Sequence, residues 1–278
     1  MALVTLKEVL DYAEEKNIAI PGFNIDNLEI TQALLMAAEA ENCPVIITIG
    51  QGCIKIGRLH SLATLVKQMA AESKVPVVLH LDHGVSYEQT IQCLREGFSS
   101  VMFDGSRFPL EKNIEITRQV VTAAHAVGVS VEAELGAIGG VEDGIAAAGK
   151  NVVDIGEVET MIKSVPIDAL AVAIGNAHGI YKTAPKLDFD LLRAIRNLDC
   201  HVPHLVLHGG SGLSDEAIQT AISCGIRKIN VATEIRLAYI NGLKSASASS
   251  NIYDYIAAAQ EAVVDLARQK IRLFTHIS

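Results

Sequence analysis

Three histidines, His83, His178 and His208, each stand directly before a glycine and at or just beyond the end of an apolar run. A neutral imidazole is the commonest side-chain ligand of zinc, and three of them with one position left open describe a catalytic zinc site. Any one of the three could instead be satisfied by a nearby hydrogen bond; all three in one setting favour the metal. The other six are at positions 60, 80, 125, 201, 204 and 276. They fall in helical patterns, turns or the tail, with His80 inside a strand as a core or supporting residue. Asp82 immediately precedes His83. It either exchanges protons with a substrate hydroxyl or orients a neighbouring imidazole, and spacing does not separate the two.

Two further segments carry chemistry. Gly209-Gly210-Ser211-Gly212 and Asn230-Val231-Ala232-Thr233 follow consecutive apolar runs. Glycines let backbone N–H groups approach an anion, a helix N-terminus adds a favourable dipole, and Thr233 brings a hydroxyl. A phosphate cradle is one reading, a pair of tight turns the other. The glycine-rich stretch 136–149 lacks bulky anchors and contains Glu142 and Asp143. It reads as surface loop or as a lid, and in the second case Glu142 is a carboxylate able to close over the site.

Such residues need a frame that brings distant positions together. Eight apolar, β-branched runs recur: Ala19–Phe23, Val45–Ile49, Val77–Leu81, Ser100–Phe103, Ser130–Leu135, Ala169–Ile174, His204–Leu207 and Lys228–Val231. Helical patterns separate them: Ile30–Glu41, Leu59–Ser73, Tyr87–Arg95, Glu111–Val127, Glu157–Val165, Phe189–Leu198 and Glu216–Cys224. An amphipathic helix over Met1–Lys16 precedes them, and a long helical tail over Tyr253–Phe274 follows. Alternating strands and helices imply a parallel sheet. Eight repeats, with no G-x-G-x-x-G after the first strand, point to a single α/β domain over residues 1–278. Its form is a (β/α)8 TIM barrel with a C-terminal helical extension. In such barrels the chemistry sits where strands end. Seven of the eight runs end in polar or glycine residues, among them Asn24, Asp104-Gly105-Ser106 and Gly175-Asn176.

Composition agrees. Half the residues are hydrophobic but only 4% are aromatic and none is Trp, so an aliphatic core is expected. The net charge of −9 argues against a nucleic-acid partner, and no run reaches membrane-spanning length. Five scattered cysteines without a C-x-x-C pair read as reduced thiols of a cytoplasmic protein.

The stretches Leu79–Gly84, Val131–Gly136, Gly139–Asp143, Gly175–Gly179, Leu207–Gly212 and Asn230–Glu234 together resemble the class II ketose-bisphosphate aldolases, in order and over essentially the whole chain. Within that family the chain is similar to the branch holding the tagatose- and fructose-1,6-bisphosphate enzymes. The resemblance implies one catalytic Zn2+ on His83, His178 and His208, and admits a monovalent cation. It implies that Asp82 moves the proton of the C4 oxygen and that Glu142 moves the proton at C3. It assigns dihydroxyacetone phosphate to Gly179, Gly209, Gly210, Ser211, Asn230, Val231, Ala232 and Thr233, and puts Asn24 near the substrate. Glyceraldehyde 3-phosphate and a ketose bisphosphate are the other ligands implied. A homodimer or homotetramer is expected, with an accessory subunit if the enzyme is of tagatose type.

Departures from the family pattern concern specificity. Gly50 stands where many relatives have serine, and Ala232 follows the tagatose-type motif. Arg268, Lys270 and Arg272 are the candidates for a second phosphate. Three other chemistries compete with the zinc aldolase. An imine route needs a lysine in a strand, and only Lys228 qualifies. A metal-dependent hydrolase would leave the glycine loops without purpose, and a non-catalytic subunit would not need every group in place.

Overall fold

The computed structural model describes residues 3–142, 145–146, 151–181 and 183–275, with the backbone alone for 141, 142, 145 and 146. Eight parallel strands close into a barrel in the order β1 (Ile20–Asn24), β11 (Ile226–Val231), β10 (His204–Leu207), β8 (Ala169–Val172), β5 (Ser130–Leu135), β4 (Ser100–Phe103), β3 (Val77–Gly84), β2 (Val45–Ile49). Each expected run is therefore a barrel strand, to within three residues at either end. β2 shows why: the sequence VIITI is buried at every position, as only a strand covered on both faces can be.

Helices α2 (Leu28–Ala40), α4 (Leu59–Glu72), α5 (Tyr87–Arg95), α6 (Leu110–His125), α7 (Ile155–Ser164), α8 (Phe189–Arg196) and α9 (Asp215–Ser223) form the outer ring. Their starts are fixed locally: Asn27, Ser86, Asp154, Asp188 and Ser214 each accept a backbone N–H of the first turn. α1 (Leu6–Lys16) has a full capping box between Thr5 and Glu8. It lies across the strand starts, where Val4 N–H donates to Val77 O and Lys7 N–H to Ser130 Oγ, both at 3.0 Å. Leu6 and Leu10 are wholly buried there, each contributing about 2 kcal/mol, so α1 stoppers that end of the barrel.

The chain ends in two helices. α10 (Thr233–Ser245) has only Ile235 and Gly242 buried, so its sequence lacks the apolar stripe that announces a helix, and it was not among the expected elements. α11 (Ile252–Thr275) is the expected C-terminal helix. Gln260 meets Gln32 near the start of α2, while Arg268 and Arg272 meet Glu41 just past its end. α11 thus runs alongside α2 in the same direction and completes the ring.

A short helix α3 (Gln51–Lys55) and a small sheet of β6 (Gly139–Glu142), β7 (Ile145–Ala146) and β9 (Ala177–His178) decorate the C-terminal rim, again beyond expectation. No described helix is long and apolar enough to cross a membrane.

Candidate active site

The three histidines meet at the C-terminal mouth. Their ring centroids are 4.7 Å (His83 to His208), 5.0 Å (His83 to His178) and 6.0 Å (His178 to His208) apart. One nitrogen from each lies within 4.8 Å of the others. The elements that carry them differ. His208 follows β10 directly. His178 lies on β9, held by pairing with Gly140 of β6. His83 sits inside β3 with a φ of 49°, and the β3–β4 register slips between Leu81 and Gly84. That left-handed residue lets Asp82 and His83, which regular strand geometry would send to opposite faces, both serve the mouth. Gly84 contributes by closeness rather than by its own φ: a Cβ there would stand 2.3 Å from Met102 O.

Each of two imidazoles is held from behind by a carboxylate. His83 Nδ1 is 3.0 Å from Asp104 Oδ2, and His208 Nε2 is 2.8 Å from Glu132 Oε1. Burial would raise both acids, but the opposing interactions win. For Asp104 they are hydrogen bonds from His83 and Ser106. For Glu132 they are the Lys228 charge and the His208 bond. Both stay well below the usual carboxylate range. An ionised carboxylate only accepts, so the facing ring nitrogens carry the protons. The remaining nitrogens, His83 Nε2 and His208 Nδ1, then present lone pairs to each other at 2.9 Å. Two acceptors at that distance repel unless a cation lies between them. The edge of a tetrahedral zinc–imidazole site is about 3.3 Å, so the donor set fits such an ion, and carboxylate-backed histidines are its usual surroundings.

Asp82, 1% exposed, lies beside this cluster. Asn24 Nδ2 donates to its Oδ2 at 2.9 Å and Asn230 Nδ2 to its Oδ1 at 3.0 Å.

A small pocket beside His178 is lined by Gly179, Gly209, Ser211, Asn230, Ala232 and Thr233. Gly179 (φ 91°) and Gly209 (φ 68°) turn their loops through backbone that side chains resist. Thr233 begins α10, so that helix directs its N-terminus at the pocket. Two of the residues expected here stand apart. Gly210 gives its N–H to Asn230 O at 2.9 Å, and Val231 is a core residue of β11. Tyr181, which the sequence did not single out, ties the pocket together. Its hydroxyl accepts from Ala177 N–H and donates to Gly209 O, both at 2.9 Å.

Glu142 closes β6 in the backbone, but its side chain lies outside the described residues, as do Asp143 and the end of that loop. Of the three basic candidates for a second phosphate, Arg268 and Arg272 both clasp Glu41, and Lys270 pairs with Glu234 at 2.8 Å. Glu41 lies at the end of α2 remote from the mouth, which removes the two arginines from the site. Lys228, the strand lysine, is fully buried with Nζ 2.6 Å from Glu132 Oε2. In the sequence Asp104 stands as a polar residue after the fourth strand, Lys228 as the strand lysine that an imine route would need, and Glu132 within the fifth strand. Nothing in their spacing says which imidazole each would meet.

Similarity to known proteins agrees with this geometry. The sequence model for class-II fructose-bisphosphate aldolase matches residues 4–277. A fructose-bisphosphate aldolase of Geobacillus stearothermophilus is 46% identical over 258 residues, covering 91% of this chain and 89% of its own. One from Staphylococcus aureus is 40% identical over 281 residues, covering 99% and 98%. Among solved structures, the YdjI aldolase of Escherichia coli K12 superposes with a TM-score of 0.87 at 35% identity, covering 98% of this chain and 97% of that one.

Proposed function

The chain belongs to the class-II fructose-bisphosphate aldolase family and is an aldolase; we propose that it cleaves fructose 1,6-bisphosphate reversibly, on a zinc ion held by His83, His178 and His208. The observation that carries the metal assignment is the approach of His83 Nε2 to His208 Nδ1 at 2.9 Å with a carboxylate behind each ring. The names of the relatives support fructose over its C4 epimer tagatose, against the tilt of Ala232.

When bound there, zinc supplies Lewis-acid polarisation of the substrate ketone. Asp82, oriented by two amides, takes the proton from the C4 hydroxyl on cleavage and returns it on condensation. Glu142 handles the proton at C3. The pocket of Gly179, Gly209, Ser211 and Thr233 holds the dihydroxyacetone phosphate end by backbone N–H groups, hydroxyls and the dipole of α10. Glyceraldehyde 3-phosphate is the other product. Holding the ketone end in place turns the condensation with the aldehyde into an effectively intramolecular event. On this reading residues 1–278 act as one domain, in the cytoplasm, as the five free cysteines support.

The test is a coupled cleavage assay on both ketose bisphosphates, before and after stripping with a chelator. Turnover of the fructose substrate that stops on stripping and returns with Zn2+ is expected. Turnover that survives stripping, with borohydride trapping substrate on the chain, would transfer the chemistry to an imine.

A further inference from the structure

The barrel interior beneath the histidines holds charge where aliphatic layers are usual. Glu132 of β5 and Lys228 of β11 are both 0% exposed and meet at 2.6 Å. β8 and β10 separate these strands in the barrel wall, so the contact crosses the lumen. The two oxygens of Glu132 are divided between two partners: Oε2 takes the lysine, Oε1 takes His208 Nε2 at 2.8 Å. His80 completes the layer, with Nδ1 2.8 Å from Ser100 Oγ and Nε2 3.4 Å from Lys228 Nζ. Burial and then the lysine charge push His80 down to about 3, and its Nε2 stands 3.6 Å from Glu132 Oε2, beyond hydrogen-bond reach.

An ion pair in this position is a poor source of stability, because removing two charges from water costs about what their attraction returns. Its value must lie elsewhere. Without the lysine, the glutamate could swing toward any donor, and the bond that fixes the His208 ring would lose its anchor. We infer that Lys228 is a positioning residue for the aldolase reaction, locking Glu132 across the barrel so that its other oxygen fixes the ring of His208. The inference rests on the zinc reading above and adds to it a residue that touches neither metal nor substrate.

The test compares the zinc-loaded wild type with Lys228→Met and with the double variant K228M/E132Q, in which no charge is left unpaired. Each is checked for fold by circular dichroism, then titrated for Zn2+ affinity against a chromophoric chelator and assayed at limiting and saturating zinc. Loss of outer support of this kind typically weakens metal binding about 10- to 100-fold. That loss is expected in both variants, with the KM for substrate little changed and much of kcat recovered at saturating zinc. A folded variant of either kind that binds zinc as wild type does overturns the inference; a merely structural lysine would lower the melting temperature and leave zinc affinity alone. If K228M fails to fold, the double variant is read against Glu132→Gln alone: equal zinc affinity is expected, and a further loss on removing the lysine overturns the inference. His208→Ala is the separate control: undiminished zinc binding there would sink the metal assignment itself rather than the role of Lys228.

Discussion

Asn230 Nδ2 donates to Asp82 Oδ1 across 148 positions of the chain, while Asn24 takes the other oxygen of the same carboxylate. The Oδ1 atoms of both asparagines are buried without a protein partner. The clamp therefore faces the carboxylate and leaves two acceptors over. Asp82→Asn keeps the shape and removes the base. We expect a folded protein with normal zinc content and kcat lowered about 10²- to 10⁴-fold, as loss of a general acid–base group gives. Zinc analysis and steady-state kinetics together check it, and an unimpaired rate would end the assignment of Asp82.

Metal removal should act on stability as well as rate. An ion that binds only the folded chain adds about 4 kcal/mol at 1,000 times its dissociation constant. The stripped protein should therefore melt at lower temperature, and Zn2+ should restore the midpoint in a concentration-dependent way. Identical melting curves with and without zinc would count against a site at the histidines.

Tyr181→Phe removes a hydroxyl that joins the β9 strand to the Gly209 loop. Two neutral hydrogen bonds are lost, each worth about 1 kcal/mol. The phosphate pocket loosens while His83 and His208 keep their carboxylate supports. The expected outcome is a severalfold rise in KM, with zinc content and kcat close to wild type.

Glu41 tests the reassignment of the C-terminal arginines. Its carboxyl is held below the ordinary value by its bond to Arg272, reinforced by Arg268 against the effect of burial. A depressed folded value stabilises above the unfolded carboxylate range, near pH 4.3, and that contribution disappears as pH falls through the folded value. Glu41→Gln should cost about 1 kcal/mol at pH 7, and the gap to wild type should close in acid. Arg272→Ala should leave KM for the bisphosphate unchanged, whereas a phosphate ligand would raise it by an order of magnitude or more.

The amino-acid sequence by itself determined the eight strands, because fully buried parallel strands demand unbroken apolar runs such as Val45–Ile49, and those runs are local. It also determined which residue types end them, and hence the histidine cluster and the glycine pocket. α10 escaped because it packs mainly on α11, so little of its surface had to be apolar. The tertiary structure alone decided who supports whom. Asp104 behind His83, Glu132 behind His208 and Lys228 behind Glu132 are pairings across the barrel wall and lumen, made over 21, 76 and 96 positions of the chain. It also decided that Arg268 and Arg272 serve a helix end rather than the mouth. A side chain's type is written in the sequence; its partner is set by strand register and barrel closure, which bring together positions that no local spacing connects.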